Sequence, residues 1–286
     1  MRTLRARNGA GRYAFPRKPR QRRVQGQGPN GRCHGVTTTK KAQGSPAATS
    51  VTSRPVNTLA IDIGGSGLKA TVVDGDGNLL CDRVRIDTPV GSPPDAIVAM
   101  LAELVRDLPA AERVAVGFPG MVRSGIVRTA PNLGHDDWHG YDLAKALAEA
   151  LHKPVRVGND ADVQGLAVIR GTGVEMVVTL GTGFGTALYQ DGRLCPHLEL
   201  AHMPFRKGET FDTQLGNAAR KEIGTRKWRK RVRKAVELLR TLTHFDHLYI
   251  GGGNAKKLCV ALGDDVSYVD NTAGLSGGAK LWAQPD

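Results

Sequence analysis

Apolar residues recur from Leu59 onward with the periods of strands and helices, and they predict two successive α/β units. The first is a β-β-β-α-β-α-β unit with elements at 59–62, 69–73, 79–87, 94–108, 114–117, 143–151 and 155–157. The second has a helix, a hairpin pair and further helices and strands, at 161–170, 176–194, 213–223, 226–243, 248–250, 254–262, 266–269 and 274–283. We therefore predict an α/β fold of two lobes, 55–158 and 159–286, around a central cleft. The last helix, about 274–286, is expected to pack back on the first lobe.

Two glycine-rich turns each join one short β-rich apolar run to another. They are Asp62-Ile63-Gly64-Gly65-Ser66-Gly67-Leu68-Lys69 and Thr179-Leu180-Gly181-Thr182-Gly183. Glycine lacks the Cβ that would hold an anion away, so consecutive N–H groups and a neighbouring hydroxyl can converge on phosphate oxygens. Neither turn matches a dinucleotide-binding or Walker pattern. We predict two half-sites for one phosphate donor, formed by Gly64, Gly65, Ser66, Gly67, Lys69, Thr179, Gly181, Thr182 and Gly183.

The N-terminal segment differs in composition from the rest of the chain. Residues 1–50 contain twelve Lys and Arg and no acidic residue, whereas 51–286 holds 28 basic and 27 acidic residues. Because few large aliphatic side chains are available for burial, we predict that 1–54 is disordered. Three interpretations stay open for it: an inert tail or misassigned start, an anion-binding tail, and an organelle transit peptide.

Cysteine usage and hydropathy indicate the compartment. Cys33, Cys81, Cys195 and Cys259 are scattered and form no C-x-x-C pair, which favours neither a zinc site nor a disulfide framework. No run of about 18 apolar residues is present. We predict a cytoplasmic protein without a membrane partner.

The predicted helix 226–243 combines an apolar stripe with a basic one. Nine Lys and Arg lie within 220–234, although 51–286 as a whole is nearly neutral. Such a local field attracts a polyanion; a solvated helix face is the alternative. Trp228 is the one aromatic residue of this helix and is needed for packing, which argues against nucleic acid. We define the basic tract as Lys221, Arg226, Arg229, Lys230, Arg233 and Lys234.

Polar residues suited to catalysis and to sugar binding lie at predicted strand ends and in loops. Asp160 follows the strand 155–157 at the start of a helix, where a carboxylate can accept a hydroxyl proton; an N-cap role fits the same position. Asp162 is predicted to point elsewhere. Amide, carboxylate and imidazole groups together fit the hydroxyls of a sugar. The candidate sugar-binding residues are Asn132, Asn159, Asp160, Glu199 and His202.

Six short motifs follow one another along the chain. They are Asp62-Ile63-Gly64-Gly65-Ser66, Gly117-Phe118-Pro119-Gly120, Pro131-Asn132-Leu133, Asn159-Asp160-Ala161-Asp162, Leu180-Gly181-Thr182-Gly183 and Glu199-Leu200-Ala201-His202. In these motifs and their order the chain resembles the ROK-family sugar kinases over roughly 57–286. Within that family it is most similar to the polyphosphate glucokinases and polyphosphate/ATP glucomannokinases, notably in Gly67-Leu68-Lys69 and the basic stretch 221–234.

The resemblance implies an actin/hexokinase-like fold and a kinase. Its reaction would move a phosphoryl group from inorganic polyphosphate, and from ATP, to the 6-hydroxyl of glucose and of mannose. Asp160 would be the base, the basic tract would guide polyphosphate, and Asp62 would help to position Mg²⁺ through water. Gly251, Gly252, Gly253 and Asn254 follow a strand and are predicted to open a helix, and in ATP-using relatives this region contacts the adenosine.

One departure from the family pattern is visible in the sequence. Most members carry a C-x-C-G-x-x-G-C zinc motif after the segment equivalent to 199–202, and this chain does not. We therefore expect no structural zinc. A monomer or homodimer is expected.

Other functions stay open at this point. One is a strictly ATP-dependent hexokinase of the same family, and another is a sugar-responsive transcriptional regulator. The regulators carry an N-terminal helix-turn-helix, and residues 1–54 lack the apolar periodicity to form one. An inactive sugar-binding protein would be expected to lack the aspartate at 160, which is present.

Overall fold

The computed structural model describes residues 56–134, 136–269 and 274–285. The predicted disordered segment 1–54 lies outside the described residues. In the part of the chain that is described, no helix is both long and apolar enough to cross a membrane.

Two five-stranded sheets with the same strand order form the framework. In chain order the strands are β1 (Thr58–Gly64), β2 (Gly67–Val73), β3 (Val84–Ile86), β4 (Arg113–Phe118), β5 (Val122–Arg123), β6 (Ile126–Val127), β7 (Val155–Asn159), β8 (Val174–Leu180), β9 (Phe184–Gln190), β10 (Arg193–Leu194), β11 (Pro204–Arg206), β12 (Glu209–Thr210), β13 (His247–Gly251) and β14 (Val266–Tyr268). The first sheet has the order β3-β2-β1-β4-β7 and the second the order β10-β9-β8-β13-β14. In each, three antiparallel strands continue into two parallel ones. The predicted α/β fold is confirmed.

The helices cover the sheets because both faces of the central strands are apolar. They are α1 (Pro94–Leu104), α2 (Leu143–Leu151), α3 (Asp160–Leu166), α4 (Phe211–Leu215), α5 (Asn217–Ile223), α6 (Thr225–Thr243) and α7 (Gly277–Leu281). On one face of the first sheet, Ile61 and Val116 pack in a core with Leu101 of α1 and Leu147 of α2. Helix α3 contacts strands of both sheets, which places its first residue between them.

The C-terminal segment is tied to both sheets. Helix α7 lies on the first sheet, where a Cβ on Gly278 would come within 3.1 Å of the Ala60 Cβ. Trp282 Nε1 donates to the Val114 carbonyl at 3.2 Å, and Arg156 donates to the Gln284 carbonyl at 2.7 Å. The Gln284 side chain accepts from the backbone N–H of Leu194 in β10 at 2.8 Å. This segment therefore joins the first sheet to an edge of the second.

The predicted strand 79–87 is too long, since the paired part is 84–86. The preceding residues meet β2 at an isolated bridge between Val73 and Leu79. There the Cys81 sulfur lies 3.4 Å from the Val72 nitrogen, and the Cys81 carbonyl accepts from the Thr71 hydroxyl at 3.0 Å. The segment before residue 84 is therefore held to β2 by one backbone hydrogen bond, from Leu80 to Val72 at 2.8 Å, and by these contacts of Cys81, without regular strand pairing.

Two predicted helices are interrupted by local backbone geometry. The region 213–223 forms α4 and α5 instead of one helix because Gly216 is extended, and a Cβ there would lie 2.6 Å from the Thr182 carbonyl oxygen. The predicted helix 254–262 is only a 3₁₀ turn at Ala255–Lys257. Cys259 has a left-handed φ of 41°, which ends helical geometry. The last helix spans 277–281, a shorter range than the 274–283 of the periodic pattern.

Candidate active site

The first glycine turn forms the tip of the β1–β2 hairpin. Gly64 pairs with Gly67 across it, and Thr88 Oγ1 donates to the Gly64 carbonyl at 2.6 Å. A Cβ on Gly65 would come within 2.7 Å of the Asn132 carbonyl oxygen, so only glycine permits this approach between the turn and the Pro131–Leu133 loop. The structure thus brings a predicted phosphate turn against a predicted sugar-binding loop.

Asp62 and Lys69 face each other at the base of this turn. Lys69 Nζ lies 2.7 Å from Asp62 Oδ2, and both side chains are partly exposed. Lys69 is therefore not a free strand lysine, because it already balances the carboxylate charge of Asp62. A phosphate that binds here would meet a lysine held in place by that ion pair.

Asp160 stands where three parallel strands end. Asp62 pairs with Gly117 across β1 and β4, Gly117 pairs with Gly158 across β4 and β7, and Asp160 follows β7 as the first residue of α3. Asn159, and not Asp160, caps this helix: its Oδ1 accepts from the Ala161 N–H at 2.8 Å. The N-cap alternative for Asp160 is therefore wrong, and its carboxylate is left available for another role.

The surroundings of Asp160 raise its pKa. Burial raises the pKa of Asp160 to about 7, and the neighbouring Asp62 carboxylate adds to the rise. One Asp160 oxygen accepts from the Ala161 N–H at 2.7 Å, which favours the ionised form. A carboxyl group that titrates near neutral pH can take a proton from a hydroxyl more readily than an ordinary aspartate can.

The predicted sugar residues occupy different settings. Asn132 is exposed in its loop. Asn159 is buried, and in addition to its cap its Nδ2 donates to the Gly120 carbonyl at 3.1 Å, so its side chain first serves the fold. Glu199 precedes a 3₁₀ turn at Leu200–His202, and His202 Nε2 lies 3.8 Å from Glu199 Oε2. The helical turn that brings the Glu199 and His202 side chains to one side is therefore present.

His197 is a member of this region that the sequence reasoning missed. Its Nδ1 lies 2.9 Å from Asp162 Oδ2 and its Nε2 lies 3.4 Å from Glu199 Oε1. Burial alone lowers the pKa of His197, but the two flanking carboxylates outweigh it and raise that pKa to about 10. The Asp162 carboxylate is thus paired with a histidine.

The second glycine turn is held from three directions. At the tip of the β8–β9 hairpin, Asp212 Oδ1 accepts from the Phe184 N–H at 2.7 Å. The Asn217 N–H donates to the Gly181 carbonyl at 3.1 Å, and Asn254 Nδ2 donates to the same carbonyl at 3.0 Å. Thr182 remains exposed at the tip. Like Asp212, Arg85 at the first turn was missed; it donates to the Ser66 carbonyl at 3.0 Å.

The loop Gly251–Asn254 lies against the second turn without forming a helix start. Gly252 has a φ of 88°, and a Cβ there would lie 2.4 Å from the Leu180 carbonyl oxygen. The predicted long helix after this loop is therefore wrong, since only the 3₁₀ turn Ala255–Lys257 follows Asn254. A cavity of about 450 Å³ opens beside it, lined by Gly252, Gly253, Ala255, Lys256, Cys259, Tyr268 and Val269.

The basic tract lies on α5 and α6. Trp228 is buried beneath it and donates through Nε1 to the Leu215 carbonyl at 2.7 Å. Arg229 is half-buried and donates to the Lys257 carbonyl at 2.9 Å, while the other members of the tract are exposed. Among the described residues, no carboxylate lies within ion-pair distance of any member. The positive charge is thus uncompensated.

A chain of contacts connects the basic tract to the second turn. Arg229 binds the carbonyl of Lys257, Lys257 Nζ lies 3.3 Å from Asn254 Oδ1, and Asn254 binds the Gly181 carbonyl. These hydrogen bonds link α6 to the second glycine turn.

Comparisons with known proteins show the family of this chain. The family model described as "ROK family" matches residues 58–204. The polyphosphate glucokinase of Mycobacterium tuberculosis (strain ATCC 25618 / H37Rv) is 32% identical over 237 residues, covering 77% of this chain and 89% of that protein. The chain belongs to the ROK family.

Two further ROK relatives extend the match. The polyphosphate glucokinase of Mycobacterium leprae (strain TN) is 30% identical over 251 residues, which cover 82% of this chain and 77% of that protein. The crystal structure of an inorganic polyphosphate/ATP-glucomannokinase from Arthrobacter sp. strain KM superposes with a TM-score of 0.72 at 30% identity. The superposition covers 81% of this chain and 99% of the glucomannokinase chain. The actin/hexokinase-like fold follows for this ROK protein.

Acidic, histidine and cysteine side chains are the candidate metal ligands of this ROK chain. Within the described ranges, no group of three or more His, Cys, Asp or Glu has an arrangement that could hold a metal ion. At the first glycine turn the carboxylate of Asp62 is close enough to that of Asp160 to raise its pKa. A hard cation that also binds donor phosphates fits such a sparse set, because Mg²⁺ keeps several waters and takes only one or two carboxylates.

Proposed function

We propose that this protein transfers a phosphoryl group from inorganic polyphosphate to the 6-hydroxyl of glucose. The observation that carries the sugar-kinase assignment is the placement of Asp160 beside Asp62 and the first glycine turn, with a carboxyl pKa near neutrality. Relatives named polyphosphate glucokinase match over more than three quarters of the chain. The uncompensated basic tract favours polyphosphate as the donor.

The site residues would have three roles: proton acceptor, sugar binding and stabilisation of the transferred phosphoryl group. Asp160 accepts the proton of the 6-hydroxyl as its oxygen attacks phosphorus. Glu199, His202 and Asn132 bind the other hydroxyls and hold the sugar in line, and Asn159 fixes the start of α3. The N–H groups of the two glycine turns and the Lys69 ammonium stabilise negative charge on the transferred group.

Mg²⁺ is the metal we propose for this reaction. Asp62 would hold it through water, and bound there it would neutralise charge on the donor phosphates. Lys69 keeps the Asp62 carboxylate oriented through the 2.7 Å ion pair. We also propose mannose as a second sugar, a monomer or homodimer, a cytoplasmic location and no nucleic-acid partner.

ATP is a second candidate donor. The cavity of about 450 Å³ beside Gly252 and Gly253 has room for a nucleoside, with Tyr268 on its wall and Lys256 at its edge. A nucleotide bound there would direct its phosphates toward the second turn, since Asn254 joins the two. A strictly ATP-dependent kinase would need this cavity and not the basic tract.

The test compares donors and sugars with the full chain. We expect glucose 6-phosphate to form with polyphosphate and Mg²⁺, and mannose to be phosphorylated as well. Product formation with ATP alone would instead support the ATP-dependent hexokinase. If neither donor gives product while glucose still binds, the protein is a sugar sensor or regulator and not a kinase.

Metal content provides a separate prediction. The purified protein should contain no stoichiometric zinc, and its activity should be lost on EDTA treatment and return with added Mg²⁺, because only the phosphates need a hard cation. Elemental analysis together with this titration checks the expectation. One tightly bound zinc per chain would contradict it.

A further inference from the structure

His197 lies between the two segments that carry the proposed catalytic and sugar-binding carboxylates. Its Nδ1 is 2.9 Å from Asp162 Oδ2, on α3 two residues after Asp160, and its Nε2 is 3.4 Å from Glu199 Oε1. The side chains of His197 and Asp162 are only 10% and 4% exposed, whereas that of Glu199 is 30% exposed. One imidazole therefore bridges a buried carboxylate and a partly exposed one.

The Asp162 end of this bridge is rigid. Asp162 lies within the first turn of α3, whose cap is the buried Asn159. Its carbonyl accepts a hydrogen bond of 2.6 Å from the hydroxyl of Tyr189, which is fully buried on β9. A side chain that binds Asp162 is thus anchored to the same helix that presents Asp160.

The Glu199 end has no comparable support. Glu199 stands just before a 3₁₀ turn and makes no side-chain cap to it. In the described part of the chain, the other basic side chain within ion-pair distance is that of His202, at 3.8 Å and 60% exposed. His197 is therefore the buried group that determines where the Glu199 carboxylate points.

We propose that His197 is a positioning residue that holds Glu199 in the orientation required for sugar binding and couples it to the helix that carries Asp160. This inference rests on the proposed function, since it takes Glu199 as a sugar ligand. Without the imidazolium, the Asp162 and Glu199 carboxylates would face each other with no cation between them, and the more exposed Glu199 would turn away. His197 itself need not touch the sugar.

The experiment is a double-mutant cycle with His197→Gln, Glu199→Gln and both together. We expect His197→Gln to raise the Kd and the KM for glucose about tenfold, with kcat and the KM for polyphosphate changing by less than about threefold. In the Glu199→Gln background the same change should have little further effect, because the carboxylate that it positions is already gone. His247→Gln is the control. This partly buried histidine lies 2.9 Å from Ser267 Oγ and is not one of the proposed sugar-binding residues.

Each result bears on one of the two claims. If His197→Gln lowers the thermal unfolding midpoint but leaves the glucose Kd unchanged, or if its effect adds fully to that of Glu199→Gln, the positioning role is overturned. If Glu199→Gln itself leaves glucose binding intact, the proposed sugar site fails. Should His197→Gln not fold because Asp162 is left buried and unpaired, His197→Gln with Asp162→Asn removes that charge, and the glucose KM should still rise.

Discussion

Replacing Asp160 by Asn is expected to lower kcat by about 10² or more while glucose still binds. Asparagine keeps the size of the side chain and can still hydrogen-bond near the start of α3, but it cannot accept the hydroxyl proton. Steady-state kinetics and glucose titration by intrinsic fluorescence measure the two effects. The wild-type kcat/KM should rise with pH around the pKa of Asp160, about 7, because only the ionised carboxylate is a base. This rise in kcat/KM with pH should be absent from the Asp160→Asn variant.

Asp107→Asn is a matched control for this change. Asp107 is an exposed aspartate in the connection between α1 and the first residue of β4, whereas Asp160 follows the last residue of β7. Substitution of Asp107 should leave kcat unaltered. An Asp160→Asn protein with near-normal turnover would contradict the assignment. Asp160 would then be a residue that only begins the helix.

Reversing the exposed ridge of the basic tract should weaken polyphosphate use selectively. Arg226, Lys230 and Arg233 lie at helical spacing on α6 and are exposed without ion-pair partners among the described residues. Changing all three to Glu should raise the KM for polyphosphate about tenfold or more at low salt. A local electrostatic field increases association rates about 10- to 10³-fold, and the expected change lies at the lower end of that range. The effect should shrink as salt is added, because exposed charges are screened beyond roughly 10 Å at 0.1 M.

The KM for ATP should change little, since its proposed cavity and the glycine turns are untouched. Arg229 is left in place because it binds the Lys257 carbonyl, and its loss would disturb the loop as well as the charge. The control reverses Arg106, Lys145 and Lys153, three cations on and beside α1 and α2, and should leave both KM values unchanged. Equal losses with both donors in the α6 variant would assign the tract to folding or to the common catalytic centre.

Much of the framework could be predicted because it depends on local patterns. The β1–β2 and β8–β9 hairpins and helix α6 follow from short-range periodicity and turn glycines, and the structure confirms them. The errors occur where a distant contact overrides the local pattern. Gly216 breaks a helical pattern because it lies against the second glycine turn, and the helix predicted after Asn254 is lost as Cys259 turns left-handed.

The candidate site was predicted unevenly for a similar reason. Asp160 could be found because it follows the end of a strand, and Asp62 because it begins a glycine-rich turn. Arg85 and Asp212 could not, since each reaches a glycine turn from an element remote in sequence. His197 had a usable signal, namely its position two residues before Glu199, but a lone histidine gave no indication that Asp162 would be its partner.

The attachment of the C-terminal segment has a consequence for how the chain is made. Trp282 binds the carbonyl of Val114, 168 residues earlier, and Gln284 binds Leu194 of the second sheet. During synthesis, the part of the first sheet that α7 covers, around Ala60 and Ala115, therefore stays exposed until residues 277–281 have left the ribosome. Nascent chains halted before residue 277 should expose this apolar patch to chaperones, and chains in which 277–285 has emerged should bind them less.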